Sequence, residues 1–226
     1  MNKKTTYGLL TLAVLGVGAY FLLRKRKKIS KFRQRLVDNA KKELDIWDGY
    51  VEMDAEVQDR WSKYWEDCCG YAFTDTEYND PAIHDQYPWS AAFVSSVVKD
   101  SGAGDTFNYN QSHASYLVYA IENRKNYLDE PFKAYRTDEV EPEVGDIVCK
   151  NRGGGNAAYD EESAQEGEHA VQIGDILHCD IITYVGWWEV DAIGGNLSNT
   201  VKEVSFDLDS EGKLTDEHFA IIKTDL

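Results

Sequence analysis

The sequence predicts an α+β protein in which N-terminal helices pack on a small antiparallel sheet, preceded by one transmembrane helix. Apolar residues recur at helical spacing through the first half of the chain and alternate as in strands through the second half, and an uncharged run lies near the N-terminus. We divide the chain into a membrane anchor with a basic flank at 1–28 and a folded domain at 29–226. The domain contains a flexible acidic insertion at 153–168.

The predicted anchor is the uncharged run Tyr7–Leu23, which is followed by a basic cluster at 24–28. Seventeen residues of helix span roughly 26 Å, the short end of what crosses a bilayer. A cleaved signal peptide is the alternative, but no small-x-small cleavage site follows, so we favour a retained anchor. We therefore expect a single-pass protein of a cell or virion membrane that contacts lipid through residues 7–23. Its heavier basic flank favours a cytoplasmic domain, although the side of the membrane stays open.

Charge is divided unevenly along the chain. Residues 1–35 contain ten of the 24 basic residues and none of the 40 acidic ones, so the remainder has a net charge of −26. A domain this acidic does not attract nucleic acid or anionic lipid through its general surface, and any contact with an anionic polymer must be local. We expect no nucleic-acid partner.

The four cysteines show no metal-binding pattern. Cys68 and Cys69 are adjacent, which makes them a poor disulfide candidate. Cys149 and Cys179 could lie on neighbouring strands as free thiols or as a bridge, and we favour free thiols. No CxxC or Cys/His ligand spacing is present, and the acidic insertion lacks the spacing of a calcium-binding loop. We expect neither a metal nor a cofactor.

Two amphipathic helices open the domain. They are predicted over 29–50 and over 57–70, with the aromatic residues of the second packed in the core. The acidic, turn-rich segment 74–86 is predicted as a loop, with His84 exposed to solvent.

The helix predicted over 87–99 is the element around which the predicted site is built. Pro88 stops the preceding segment, and Gly102 ends the helix. Ser90 lies in its first turn, where unpaired backbone N–H groups and the positive end of the helix dipole can stabilise an oxyanion. The alternative is that Ser90 is only an N-cap.

A further helix is predicted over 112–121. Its first residues include His113, which is either a polar residue of the cap region or part of a pocket wall. Beyond Pro131 the pattern changes to that of strands. The predicted strand segments are 143–150, which begins with a turn, the hairpin of 178–185 and 187–193, and the segments 201–206 and 219–223.

Nucleophilic hydrolysis requires a nucleophile, a base within hydrogen-bond distance and a third group that fixes the tautomer of the base. Ser90, His178 at the start of a strand and Asn196 after the neighbouring strand can supply these three groups. Asp180 shares a strand face with His178 and is a second candidate for orienting its ring. The candidates for binding substrate are Trp89, His113, Trp187 and Trp188. Core packing is the alternative for each tryptophan.

Four blocks of the chain carry a family resemblance. They are Pro-Trp-Ser-Ala-Ala-Phe-Val-Ser at 88–95, Val-Gly-Asp-Ile-Val at 144–148, His-Cys-Asp-Ile-Ile at 178–182 and Ile-Gly-Gly-Asn at 193–196. Together they resemble the NlpC and CHAP superfamily of papain-like cell-wall amidases and peptidases, closest to an uncharacterised branch whose first block begins W-S-A-A-F. The resemblance covers roughly residues 33–226. It implies a papain-like fold, with Ser90 at the nucleophile position, His178 as the base and Asn196 as the orienting residue.

The chain departs from this superfamily at two positions. The family nucleophile is a cysteine, whereas the hydroxyl of Ser90 needs a stronger base and tighter geometry. The glutamate of the family's Glu-Gly-Asn block is Gly194 here. The implied function is hydrolysis of peptidoglycan amide bonds, with peptidoglycan or its peptide stem as the partner. The alternatives are a catalytically inactive relative that binds cell-wall fragments or a protein, and a structural component of a membrane-containing phage virion.

Overall fold

The computed structural model describes residues 29–126, 129–153, 157–159, 171–215 and 217–226. The predicted anchor and most of the predicted acidic insertion lie outside the described residues. Within the described ranges, no helix is both long enough and apolar enough to cross a membrane.

Helices come first along the described chain. They are α1 (Lys31–Ile46), α2 (Gln58–Cys69), α3 (Asp75–Tyr78), α4 (Pro81–Gln86), α5 (Ser90–Asp100) and α6 (His113–Lys125). The hydroxyl of Ser30 caps α1 by accepting a hydrogen bond from the backbone N–H of Arg33, and Gly70 ends α2 with a φ of 67°. The four longer helices are confirmed within a few residues of their predicted ends.

The segment predicted as a loop contains two short helices. Thr74 and Glu77 form a capping box at the start of α3, and Asp80 caps α4. His84 of α4 is buried rather than exposed, because its Nε2 lies 2.6 Å from the backbone oxygen of Tyr78. The loop prediction was wrong because the residues that cap these helices are also the residues typical of turns.

Strands make up most of the second half of the described chain. They are β1 (Phe132–Arg136), β2 (Ile147–Asn151), β3 (Leu177–Val185), β4 (Glu189–Gly194), β5 (Lys202–Asp207) and β6 (His218–Thr224). They form one antiparallel sheet in the order β1-β6-β2-β3-β4-β5. The predicted α+β class, with helices followed by an antiparallel sheet, is confirmed. The sequence did not delimit β1.

The sheet separates two apolar layers. Ile147 and Ile181 belong to the main core, which the sheet shares with the helices. Their neighbours Val148 and Ile182 belong to a second, smaller cluster. This alternation is the period of two expected of strands. Helices α5 and α6 both contact β3, so the starts of these two helices meet over the middle of the sheet.

Both pairs of cysteines are bonded. Cys149 and Cys179 are directly opposite each other on β2 and β3 and form a disulfide, and Cys68 is bonded to Cys69 at the end of α2. The preference for free thiols was wrong, as was the expectation that the adjacent pair stays unbridged. For Cys149 and Cys179 the physical reason is strand register, which brings facing side chains together and cannot be read from sequence spacing.

Candidate active site

Ser90 is the first helical residue of α5. Trp89 occupies the cap position, and the side chain there makes no capping hydrogen bond. Ser90 is therefore not the N-cap of the alternative interpretation. Its Oγ lies 2.7 Å from Nε2 of His113, the first residue of α6. Both side chains are buried, at 3% and 5% exposure respectively.

His113 is held from its other side by Tyr116, which lies three residues further along α6 and so on the same helix face. Nδ1 of His113 contacts the Tyr116 hydroxyl. Burial lowers the pKa of His113 well below 6.5, with smaller contributions from the charges of His178 and Arg152. Burial also raises the pKa of Tyr116 well above 10. Both rings are neutral at pH 7, and the tautomer that donates Nδ1–H to Tyr116 leaves Nε2 as a proton acceptor facing Ser90.

A second histidine lies beside the first. The ring centroids of His178 and His113 are 5.5 Å apart. Nε2 of His178 is 2.8 Å from Oδ1 of Asp180, two residues along the same face of β3. Nδ1 of His178 and Oδ2 of Asp180 are buried and have no hydrogen-bond partner within the described part of the chain. In the tautomer that donates Nε2–H to Asp180, the ring of His178 carries its lone pair on Nδ1.

Glycines in β4 and just after it make room for this pair. A Cβ at Gly194 would lie 1.8 Å from Oδ1 of Asp180 and 3.0 Å from Nε2 of His178. A Cβ at Gly195 would lie 2.6 Å from the side chain of Phe93 on α5. The close approach of β4 to both the His178–Asp180 pair and α5 therefore depends on the absence of side chains at these two positions.

A cleft of about 340 Å³ opens beside His178. Its lining residues are Lys150, Asn151, Arg152, Gly153, His178, Asn196, Leu197, Ser198 and Glu217. One wall is the turn after β4, in which Asn196, Ser198 and Asn199 have φ values of 57°, 57° and 65°. Residues with side chains rarely adopt this left-handed conformation, and such residues concentrate at functional sites.

The structure brings the predicted catalytic residues together but changes their pairing. Ser90 contacts His113 rather than His178, and Asp180 rather than Asn196 holds Nε2 of His178. His113 is not among the residues that line the cleft, and its assignment to a pocket wall stays a prediction. Asn196 lines the cleft, where its backbone oxygen accepts a hydrogen bond from Arg152 at 3.4 Å. The pairing differs because α6 packs on β3 with its first residue against the first residue of α5.

The predicted tryptophans do not line the cleft. Trp89 is fully buried, with its ring centroid 4.7 Å from that of Trp47. Trp187 and Trp188 are exposed in the turn that joins β3 to β4. This turn lies about 23 Å along β3 from His178, since each strand residue advances roughly 3.3 Å. The hairpin thus places its turn at the end of the strands away from the cleft, and substrate binding by these tryptophans stays a prediction.

Within the described ranges, no group of three or more His, Cys, Asp and Glu side chains is placed to hold a metal ion. The chemistry available to these residues is proton transfer and nucleophilic attack. Fold and site together define an α+β protein in which a serine at a helix N-terminus contacts a buried histidine, beside a histidine–aspartate pair.

The chain belongs to the family described as "Uncharacterized protein conserved in bacteria (DUF2272)", whose family model matches residues 44–224. The matched range contains all of the residues of the site. No curated protein and no solved structure matches the chain.

Proposed function

We propose that this protein is a serine hydrolase of peptidoglycan amide bonds, built on a papain-like fold with Ser90 as the nucleophile. The observation that carries the proposal is the 2.7 Å contact between Oγ of Ser90 and Nε2 of His113 at the start of α5. The histidine nitrogen is thereby placed to accept the proton of the Ser90 hydroxyl. This hydroxyl lies beside the unpaired backbone N–H groups of a helix N-terminus. The choice of peptidoglycan rests on the four sequence blocks that resemble the NlpC and CHAP superfamily.

In the first half-reaction, Oγ of Ser90 attacks the carbonyl carbon of the amide, and Nε2 of His113 accepts the hydroxyl proton. The backbone N–H groups of Ser90 and Ala91 stabilise the oxyanion that forms. Because burial keeps the pKa of His113 well below 6.5, its protonated form is a stronger acid than an ordinary imidazolium, and its neutral ring is a correspondingly weaker base toward Ser90. The protonated ring transfers the proton to the leaving amine as the C–N bond breaks, which leaves an acyl group on Ser90.

The His178–Asp180 pair supports the second half-reaction. His178 lines the cleft, and its buried Nδ1 has no partner among the described residues. This nitrogen accepts a proton from the water that attacks the acyl carbon, while Asp180 stabilises the resulting imidazolium across the 2.8 Å contact. The proton returns to Oγ of Ser90 as the acyl–oxygen bond breaks. The two histidines thus share the roles that the resemblance assigns to one.

Binding of cell-wall fragments without cleavage is the second candidate function. The observation that favours it is the burial of Ser90 and His113, neither of which lines the cleft. A buried hydroxyl can attack only if substrate binding opens a path to it.

Digestion of purified peptidoglycan by the full-length protein distinguishes the two functions, with mass spectrometry of the released fragments. We expect release by the native protein and none by Ser90→Ala. Ser96→Ala is the matched control on the same helix, because its hydroxyl contacts Asp67 rather than His113. Wall binding without release by the native protein would instead support the second candidate. Release by Ser90→Cys alone would show that the surrounding site is competent and that the native serine is not.

A further inference from the structure

We infer that Arg152 binds a carboxylate of the substrate, so that the cleft selects anionic peptides over their neutral counterparts. The inference deepens the proposed function and rests on it, because it names the substrate group that the same site recognises.

Arg152 lies directly after β2 and lines the cleft together with His178 and Asn196. Its backbone N–H donates to the oxygen of Ile176 at 3.0 Å, which fixes the point from which the side chain extends. Its Nη2 makes one long contact, 3.4 Å, with the backbone oxygen of Asn196. A guanidinium has five N–H donors, so most of them are not engaged by the described residues.

Arg152 also has no acidic partner within ion-pair distance in the described part of the chain. The other cation of the cleft, Lys150, is paired with Glu217 at 3.2 Å. Arg152 is exposed, whereas the buried Arg33 is paired with Asp146 and the half-buried Arg124 with Glu139. A guanidinium without a counter-charge in a cleft is suited to bidentate binding of a carboxylate.

The position of Arg152 connects this binding group to the proposed chemistry. Its charge contributes to lowering the pKa of His113, so its field reaches the Ser90–His113 pair. The chain carries a net charge of −16, so the general surface repels an anionic peptide and the cleft must supply the attraction locally. Peptidoglycan stem peptides carry free carboxylates, which makes them suitable ligands for such a cleft.

Two muramyl tetrapeptides test the inference, one with free carboxylates and one with the same carboxylates amidated. Binding to the full-length protein is measured by calorimetry in a Ser90→Ala background, and cleavage is measured by mass spectrometry with Ser90 intact. Arg152→Gln is the test variant. Lys42→Gln removes the same charge from the exposed face of α1 and is the matched control.

We expect the Ser90→Ala protein with Arg152 intact to bind the free-carboxylate peptide roughly tenfold to a hundredfold more tightly than the amidated one. Arg152→Gln should remove this preference, and Lys42→Gln should retain it. The inference is overturned if Arg152→Gln keeps the preference unchanged, or if the protein with Arg152 intact shows no preference. Cleavage of both peptides at equal rates would in that case still support the proposed hydrolase. A preference that depends on Arg152 without any cleavage would support carboxylate binding and overturn the proposed hydrolase.

Discussion

Single residues set the geometry of the site, and Gly194 shows how. The resembling superfamily has a glutamate at this position, whereas here the carboxylate comes from Asp180 on the neighbouring strand β3. A Cβ at Gly194 would lie 1.8 Å from Oδ1 of Asp180. In a closely packed interior, Asp180 in its present position and a side chain at position 194 exclude each other. The glycine at position 194 and the carboxylate of Asp180 are therefore physically linked.

Substitution of Gly194 by alanine tests this link. We expect Gly194→Ala to reduce peptidoglycan cleavage and to lower the free energy of unfolding by ~1–3 kcal/mol, because the new methyl group must displace Asp180. Urea unfolding measures the second effect. In an Asp180→Ala background the clash is gone, so the same substitution should cost less stability. Equal costs in the two backgrounds would contradict the account of Gly194.

His113 makes stability depend on pH. Its pKa is well below 6.5 in the folded protein and close to that value in the unfolded chain, so below about pH 6.5 the unfolded chain binds a proton that the folded protein does not. The stabilising contribution is complete above pH 6.5 and is lost as the pH falls, by up to ~1.4 kcal/mol per pH unit. Urea unfolding at several pH values measures this slope. His113→Gln should flatten it, and an unchanged slope would show that His113 is not its source.

Between elements, one buried ion cluster fastens α1 to the sheet. Arg33 of α1 lies 2.8 Å from Asp146, which precedes β2, and Lys223 of β6 lies 2.7 Å from the same carboxylate. Burial raises the pKa of Asp146 to about 6, so desolvation outweighs both cations, yet the carboxylate is ionised at pH 7. A Cβ at Gly145 would lie 2.8 Å from the side chain of Arg33, which shows how closely the helix approaches this turn.

Neutralising Asp146 should loosen this attachment. We expect Asp146→Asn to lower the free energy of unfolding by up to ~3 kcal/mol, because Arg33 and Lys223 would lose their buried counter-charge and keep only the more exposed carboxylates of Glu143 and Asp225. Asp138→Asn is the matched control, since its ion pair with Arg136 at 2.9 Å is exposed and should contribute less than ~1 kcal/mol. Urea unfolding of both variants at pH 7 gives the comparison, and similar losses would show that the buried cluster is not a strong attachment.

Over the whole molecule, predictability depends on how local the cause of a feature is. The longer helices, the strands β2 to β6 and the α+β class follow from apolar periodicity, which is a property of neighbouring residues. The contact between Ser90 and His113 joins residues 23 positions apart and depends on how two helices pack. The spacing of residues along the chain does not show how two helices pack. It does show that Tyr116, three residues after His113, lies on the same helix face and can contact its ring. Predicting where Trp187 and Trp188 lie likewise requires knowing at which end of the strands the hairpin has its turn.

The same limit applies to charge. The excess of acidic residues predicts that attraction for an anionic ligand must be local, and composition cannot say where. The fold places Arg152, without an acidic partner among the described residues, in the cleft that His178 lines. Only the three-dimensional arrangement distinguishes this arginine from one whose charge a carboxylate already balances, such as Arg33.

Labelling with a fluorophosphonate most directly tests whether Ser90 is an activated nucleophile. Oγ of the serine attacks phosphorus, fluoride leaves and the proton passes to His113, so no knowledge of the natural substrate is needed. We predict one adduct on Ser90 of the folded full-length protein, identified by mass spectrometry, with none in Ser90→Ala and slower formation in His113→Gln. Absence of an adduct on Ser90, or modification of Ser96 on the same helix at an equal rate, would contradict the assignment of Ser90 as the nucleophile.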